Sequence, residues 1–212
     1  MFLAFSVKNT GKYKKERFMK HRFTPFITLL LCTLVLMILP TEAEAKIYED
    51  TVRLHILANS DSEEDQNLKL RIRDDILLTY KDILKVEPNG NLRIFEEYTD
   101  EIEMYVNARL SEYGAPYRAH VTFREEWYDT REYEEFTLPC GTYLSLVVHL
   151  GEGEGKNWWC VMYPPLCLDL ATDAPRDDAF LGYGEGEVDL IQKGKYNVKF
   201  KALELFSSLL KK

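Results

Sequence analysis

From Thr51 to Ala58 apolar and polar side chains alternate, with Val52, Leu54 and Ile56 against Arg53 and His55, which predicts a half-buried strand. Asn59-Ser60-Asp61-Ser62-Glu63 follows, with Ser60 three residues before Glu63 as in a capping box. Glu63, Glu64 and Asp65 then stand where a helix dipole favours acid. Leu68, Ile72, Ile76, Tyr80 and Ile83 recur every three or four residues, predicting a helix to about Leu84, and Pro88-Asn89-Gly90 ends that segment. A second helix is predicted from about Leu92 to Tyr113 on Phe95, Ile102, Tyr105, Val106 and Leu110, with Gly114 as its stop. After Pro116 the period changes to two. Tyr117–Trp127, Thr142–Leu150 and Asn157–Tyr163 read as strands, the last stopped by Pro164-Pro165. The charged stretch 124–135 is expected to be a solvated hairpin or loop, and Gly151-Glu-Gly-Glu-Gly155 a turn. Residues 168–195 read as irregular and about 198–210 as a closing amphipathic helix. The order β-α-α-β-β-β-α describes a single α+β domain, a mixed or antiparallel sheet packed against helices.

The front of the chain is patterned differently. Seven basic residues, Lys8 to Arg22, precede the 14-residue apolar run Phe26 to Leu39, which is shorter than the roughly 20 residues a spanning helix needs. Pro40 follows, and then Ala43-x-Ala45 puts small residues at the spacing a signal peptidase requires. Residues 1–45 are therefore expected to be a secretory signal peptide, with Met19 as an alternative start, and 46–212 the exported domain. The chain holds 27 basic and 35 acidic groups, and seven and three of these lie in the leader, so cleavage would leave a net charge of −12. Such a domain is repelled by acidic lipid and phosphate polymers, which argues against nucleic acid and against membrane contact except through the leader or a partner.

Motifs for catalysis are sparse. HExxH, G-x-S-x-G and a Walker loop are absent from the 212 residues. Glu152 and Glu154 in the glycine turn would repel a phosphate. His55, His120 and His149 fall in separate predicted strands, so a shared metal site would need a particular strand order, and neither metal nor cofactor is expected. The sharpest enzymatic alternative is a secreted thiol hydrolase acting on wall peptide, with Cys160 as nucleophile and His149 as base. It competes with a bridge between Cys160 and Cys167, which flank a strand end and turn; closing so small a loop contributes roughly 2–3 kcal/mol in the chain-entropy model. Pairings through Cys140 stay open at this point. Arg53, His55, Asn59 and Asp61 at one strand end, and Asn157, Trp158, Trp159, Pro164 and Pro165 around another, are the candidates for contact with a protein partner.

Three stretches carry a resemblance: Arg53-Leu-His-Ile-Leu-Ala-Asn-Ser-Asp-Ser62, Phe136-Thr-Leu-Pro139, and Asn157-Trp-Trp-Cys-Val-Met-Tyr-Pro-Pro-Leu-Cys167. Together they resemble stage II sporulation protein R of endospore-forming Firmicutes, over about Thr51 to Cys167. The resemblance implies a secreted signalling protein rather than an enzyme. It is made in the forespore and exported to the space between the two sporulation membranes. Its implied partner is the extracytoplasmic part of the membrane-embedded aspartic protease that cleaves pro-sigma-E in the mother cell. The family pattern also carries its two motif cysteines onto Cys160 and Cys167.

Overall fold

The computed structural model describes residues 24–35, 39, 41–80, 91–133, 136–166, 182–193, 203–204 and 208. The chain divides into two units, Met1–Leu39 and Pro40–Lys212. In the first, residues 24–35 are helical, and Phe26, Leu29, Leu30 and Leu34 are exposed. No described helix is long and apolar enough to cross a membrane.

The second unit opens with α1 (Glu42–Glu49), capped by a reciprocal pair in which Thr41 accepts from the Glu44 N–H and Glu44 accepts from the Thr41 N–H. Ala43 and Ala45 lie on this helix, half-buried, beside the buried Glu44 and Ile47. A peptidase binds an extended chain, so the expected cleavage after Ala45 would have to precede folding of α1.

Strand β1 (Val52–Leu57) leads into α2 (Glu63–Thr79), whose N-cap is Ser62, accepting from the Asp65 N–H, rather than Ser60. Ser60 instead donates to the Asp65 carboxylate, which also accepts from Asn59 and Tyr117. Burial alone would raise the Asp65 carboxyl; the hydrogen bonds from Ser60, Tyr117, Asn59 and Ser62 outweigh it and hold the group below the usual range. The second expected helix is two: α3 (Ile94–Glu97) and α4 (Thr99–Glu112), broken at Tyr98, whose backbone N–H bonds back to Glu96. The break lets Phe95 stack on Phe123 while Ile102, Val106 and Leu110 face the core.

Strands β2 (Ala119–Tyr128), β3 (Arg131–Glu132), β4 (Thr137–Leu138), β5 (Gly141–Leu150) and β6 (Asn157–Tyr163) follow, and α5 (Glu185–Lys193) forms where an irregular segment was expected. Its residue Glu187 accepts from the Gly184 N–H, and Ile191 is fully buried. A short polar start and one buried apolar position are weak signals among glycines and aspartates, which is why periodicity did not find it. The expected helix at 198–210 lies largely outside the described residues.

The main sheet runs β2-β5-β1-β6 and is mixed: β1 is parallel to β5 and antiparallel to β6. Strand β1 is thus inserted between two strands that are consecutive in sequence. Val52, Leu54, Ile56, Leu146, Val148, Cys160 and Val121 share the face on which α2 and α4 pack. The opposite face carries Arg53, His55, Tyr143, Ser145 and Trp159. Tyr48 of α1 meets Tyr143 edge-on at 5.1 Å, and the small β3–β4 ladder brings Tyr133 to Arg53. The expectation of a half-buried β1 is therefore corrected. Val52 to Ile56 are all buried, because the strand is central and covered on both sides.

Candidate functional site

Arg53 is fully buried on the face away from α2. Its guanidinium carbon lies 4.1 Å from the centroid of the Tyr128 ring and 5.3 Å from that of Tyr143. One nitrogen, Nη2, donates to the Tyr133 hydroxyl at 3.0 Å, whereas Nε and Nη1 meet no acceptor among the described residues. Burying a guanidinium without a carboxylate is costly, and two aromatic faces offset part of that cost.

Two residues on, His55 bonds through Nδ1 to Glu126 Oε2 at 2.8 Å, and its ring stacks on Trp159 at 5.4 Å. Its buried Nε2 has no hydrogen-bond partner among the described residues. The other face of the cluster is closed by Arg131, whose guanidinium lies 4.0 Å from the Trp159 ring centroid. Glu126 is the electrostatic hub. Burial would raise its carboxyl, but hydrogen bonds from His55, Arg124 and Tyr128 bring it down to about 2. Among the described residues this site brings together Arg53, His55, Arg124 and Arg131, the half-buried Trp159 and the Glu126 carboxylate.

The nine expected contact residues do not form one patch. Arg53, His55 and Trp159 come together as described. Trp158 points to the opposite face, where the Arg73 guanidinium of α2 lies 4.9 Å from its ring. Asn59, Asp61 and Asn157 gather at one end of the sheet. There Asn59 Oδ1 accepts from the Glu152 N–H at 3.1 Å and Asp61 from the Lys156 N–H at 2.7 Å, pinning the β5–β6 turn to the β1–α2 loop. Pro164, buried after a cis peptide, and Pro165 lie at the other end of β6. The expected surface edge of Arg53 and His55 is corrected in the same way as β1 itself: both side chains are interior, and Trp159 and Arg131 form the accessible rim.

Sequence reading missed Glu126, Tyr128 and Arg131, set aside within a charged stretch. The available signal was continued alternation, since Arg124, Glu126 and Tyr128 prolong one face of β2 beyond the apolar part of the strand.

The thiol–imidazole pair is not assembled. His149 stands opposite Leu57 and Cys160 opposite Leu54. Leu54 and Leu57 are an odd number of residues apart, so the two side chains point to opposite faces of the sheet. Cys140 is in no disulfide, and burial pushes its thiol up to about 11. The expected Cys160–Cys167 pairing involves Cys167, which lies outside the described residues. The strand order does bring His55, His120 and His149 to one face, His120 directly opposite His149. Two of them are already engaged, His55 with Glu126 and His120 with Glu103 at 2.8 Å. Among the described residues no group of three ligands is placed to hold a metal ion.

The profile of the family described as Stage II sporulation protein R matches residues 48–173. The chain belongs to that family. The matched span holds every residue of the Arg53–Trp159 cluster and both cysteines of the third motif, and it begins just beyond Ala43 and Ala45. A relative of the same name from Bacillus subtilis (strain 168) is 37% identical over 131 residues, which is 59% of this chain and 58% of that protein. The chain thus matches less than two thirds of that relative's length. No solved structure matches.

Proposed function

We propose that this member of the stage II sporulation protein R family is a secreted signal in endospore formation. Exported from the forespore into the intermembrane space, it activates the membrane-embedded aspartic protease that cleaves pro-sigma-E in the mother cell. The observation that carries the reading is the family match over residues 48–173, and the basic, then apolar, then Ala43-x-Ala45 front of the chain agrees with export. The protein contributes no chemistry in this scheme. It binds the extracytoplasmic part of the protease more tightly in its active state than in its inactive one and so shifts that equilibrium. The contact is assigned to the rim formed by Trp159 and Arg131, with His55 stacked beneath Trp159. A Cys160–Cys167 bridge would brace the far end of β6.

The test places the full chain in a non-sporulating cell that also carries the protease and tagged pro-sigma-E. Processing that depends on the exported chain supports the reading; absence of processing with folded protein confirmed outside the membrane refutes it. Trp159→Ala should abolish processing while secretion continues. Trp158→Ala, on the helix side, should lower stability first. Loss of secretion by both variants would place both rings in the core and remove the rim from the contact.

A further inference from the structure

Strand β2 is an outer strand of the sheet, and its two halves are treated differently. The outward backbone of the first half is capped by side chains of α4. Asn107 Oδ1 accepts from the Ala119 N–H at 2.8 Å, Asn107 Nδ2 donates to the Ala119 carbonyl at 3.0 Å, and Glu103 Oε2 accepts from the Val121 N–H at 2.9 Å. These bonds fix the sense of the strand: odd-numbered residues turn their backbone outward, and even-numbered ones turn it to β5. Phe123, Glu125 and Trp127 are therefore the remaining outward positions. Among the described residues nothing bonds their outward backbone groups. A ten-residue strand thus ends in an uncapped half, the feature through which strands recruit further strands.

We propose that this uncapped half of β2 pairs antiparallel with the same segment of a second copy, about a two-fold axis at Glu125, joining the two sheets. The register follows from two facts on the strand. Only an axis at Glu125 engages all three outward positions without involving the capped Val121. That axis also sets Arg124 opposite Glu126 of the second copy, and Phe123 opposite Trp127, each twice by symmetry. An axis at Arg124 or at Glu126 would set like charges against each other at the closely spaced, non-hydrogen-bonded position. The one unfavourable element is Glu125 facing Glu125 of the second copy. With so short a contact, below the area of stable complexes, it keeps the association weak and concentration-dependent. The contact shares Arg124 and Glu126 with the cluster beneath the rim but leaves out Trp159 and Arg131, and the inference stands without the proposed signalling role.

The experiment uses the protein recovered after export with its own leader. Directly opposed residues in an antiparallel hydrogen-bonded pair have Cα atoms about 5.5 Å apart, within the range a disulfide spans. Glu125→Cys should therefore form a covalent dimer on mild oxidation, whereas Glu154→Cys in the exposed β5–β6 turn should not. In sedimentation equilibrium Glu125→Thr should tighten the dimer about five-fold by removing the like charges. Glu125→Pro should leave only monomer with an unchanged fold, because that N–H serves no bond among the described residues. Equal cross-linking by the two cysteine variants, or an association that Glu125→Pro leaves intact, overturns the proposal. So does a monomer at every concentration in both the native and Glu125→Thr proteins.

Discussion

Glu126 ties two strands of the sheet, its own β2 and, through His55, β1, to one carboxylate, and its removal can be followed through pH. The carboxyl is drawn from an ordinary 4.5 to about 2 in the folded protein. A group whose folded value lies below its unfolded one stabilises the protein above the unfolded value and ceases to do so as pH falls through the folded one. The window is therefore about pH 5 down to about pH 2. A drop of that size corresponds to about 3 kcal/mol as a ceiling. Arg124, half exposed, contributes the screened part of it. Glu126→Gln retains the shape and removes the charge, leaving Arg124 and His55 with a neutral neighbour. Urea denaturation followed by fluorescence of Trp127, Trp158 and Trp159 should place the variant about 2 kcal/mol below the parent at pH 7. The gap should shrink from pH 5 downward and close near pH 2. Asp65 and Glu103 also lie below their ordinary values and destabilise both proteins alike in acid, so the difference isolates Glu126. A gap that stays constant from pH 6 to pH 2.5, or is below about 0.5 kcal/mol at pH 6, would refute the assignment of Glu126 as the hub.

Other outcomes follow from single contacts. Gly155→Ala would drive a Cβ into the Ser60 carbonyl oxygen, so the β5–β6 turn has to leave the β1–α2 loop; a loss of about 2 kcal/mol or more in denaturant unfolding is expected. Leu54→Ala, in the fully buried centre of β1, should cost about 2–5 kcal/mol by the same measurement. The Cys140 thiol, buried and raised to about 11, should resist a thiol reagent at pH 8 in the native protein and react only on unfolding; rapid native labelling would contradict its burial. Arg53→Met removes a buried cation that meets no carboxylate among the described residues, so stability should stay within about 1 kcal/mol of the parent.

Strand limits were legible because β-branched and aromatic residues alternate between turn residues: Asn157–Tyr163 was read with the bounds the structure gives, and β5 differs by one residue. Helix α2 was legible from Leu68, Ile72 and Ile76, all buried as the period required. Strand order was not. Nothing local to Thr51–Ala58 says that two later strands will flank it, one parallel and one antiparallel, and the alternation of Arg53 and His55 with aliphatics looks the same for an outer strand and for a central one. The error in exposure follows from that single unknown. The cluster was half legible for the same reason: Arg53, His55 and Trp159 could be named from residue type, but their meeting depends on β6 lying against β1 with His55 opposite Trp159.

The placement of Arg53 bears on where a functional contact can lie. Stability alone does not require an arginine there, since a cation in the interior with two donors lacking acceptors among the described residues weakens the fold relative to an apolar side chain of the same length. Its positive effects are local: it fills the space between Tyr128 and Tyr143 and bonds Tyr133 of the hairpin segment that also presents Arg131 over Trp159. Arg53 therefore couples the position of the rim to the centre of the sheet. The Met variant separates the two effects. If it folds normally and still triggers processing, the rim needs no such support; if it folds normally and fails, Arg53 acts through Tyr133 and Arg131 as a positioning residue, and restoring a planar donor at that site with Arg53→Gln should return part of the signal.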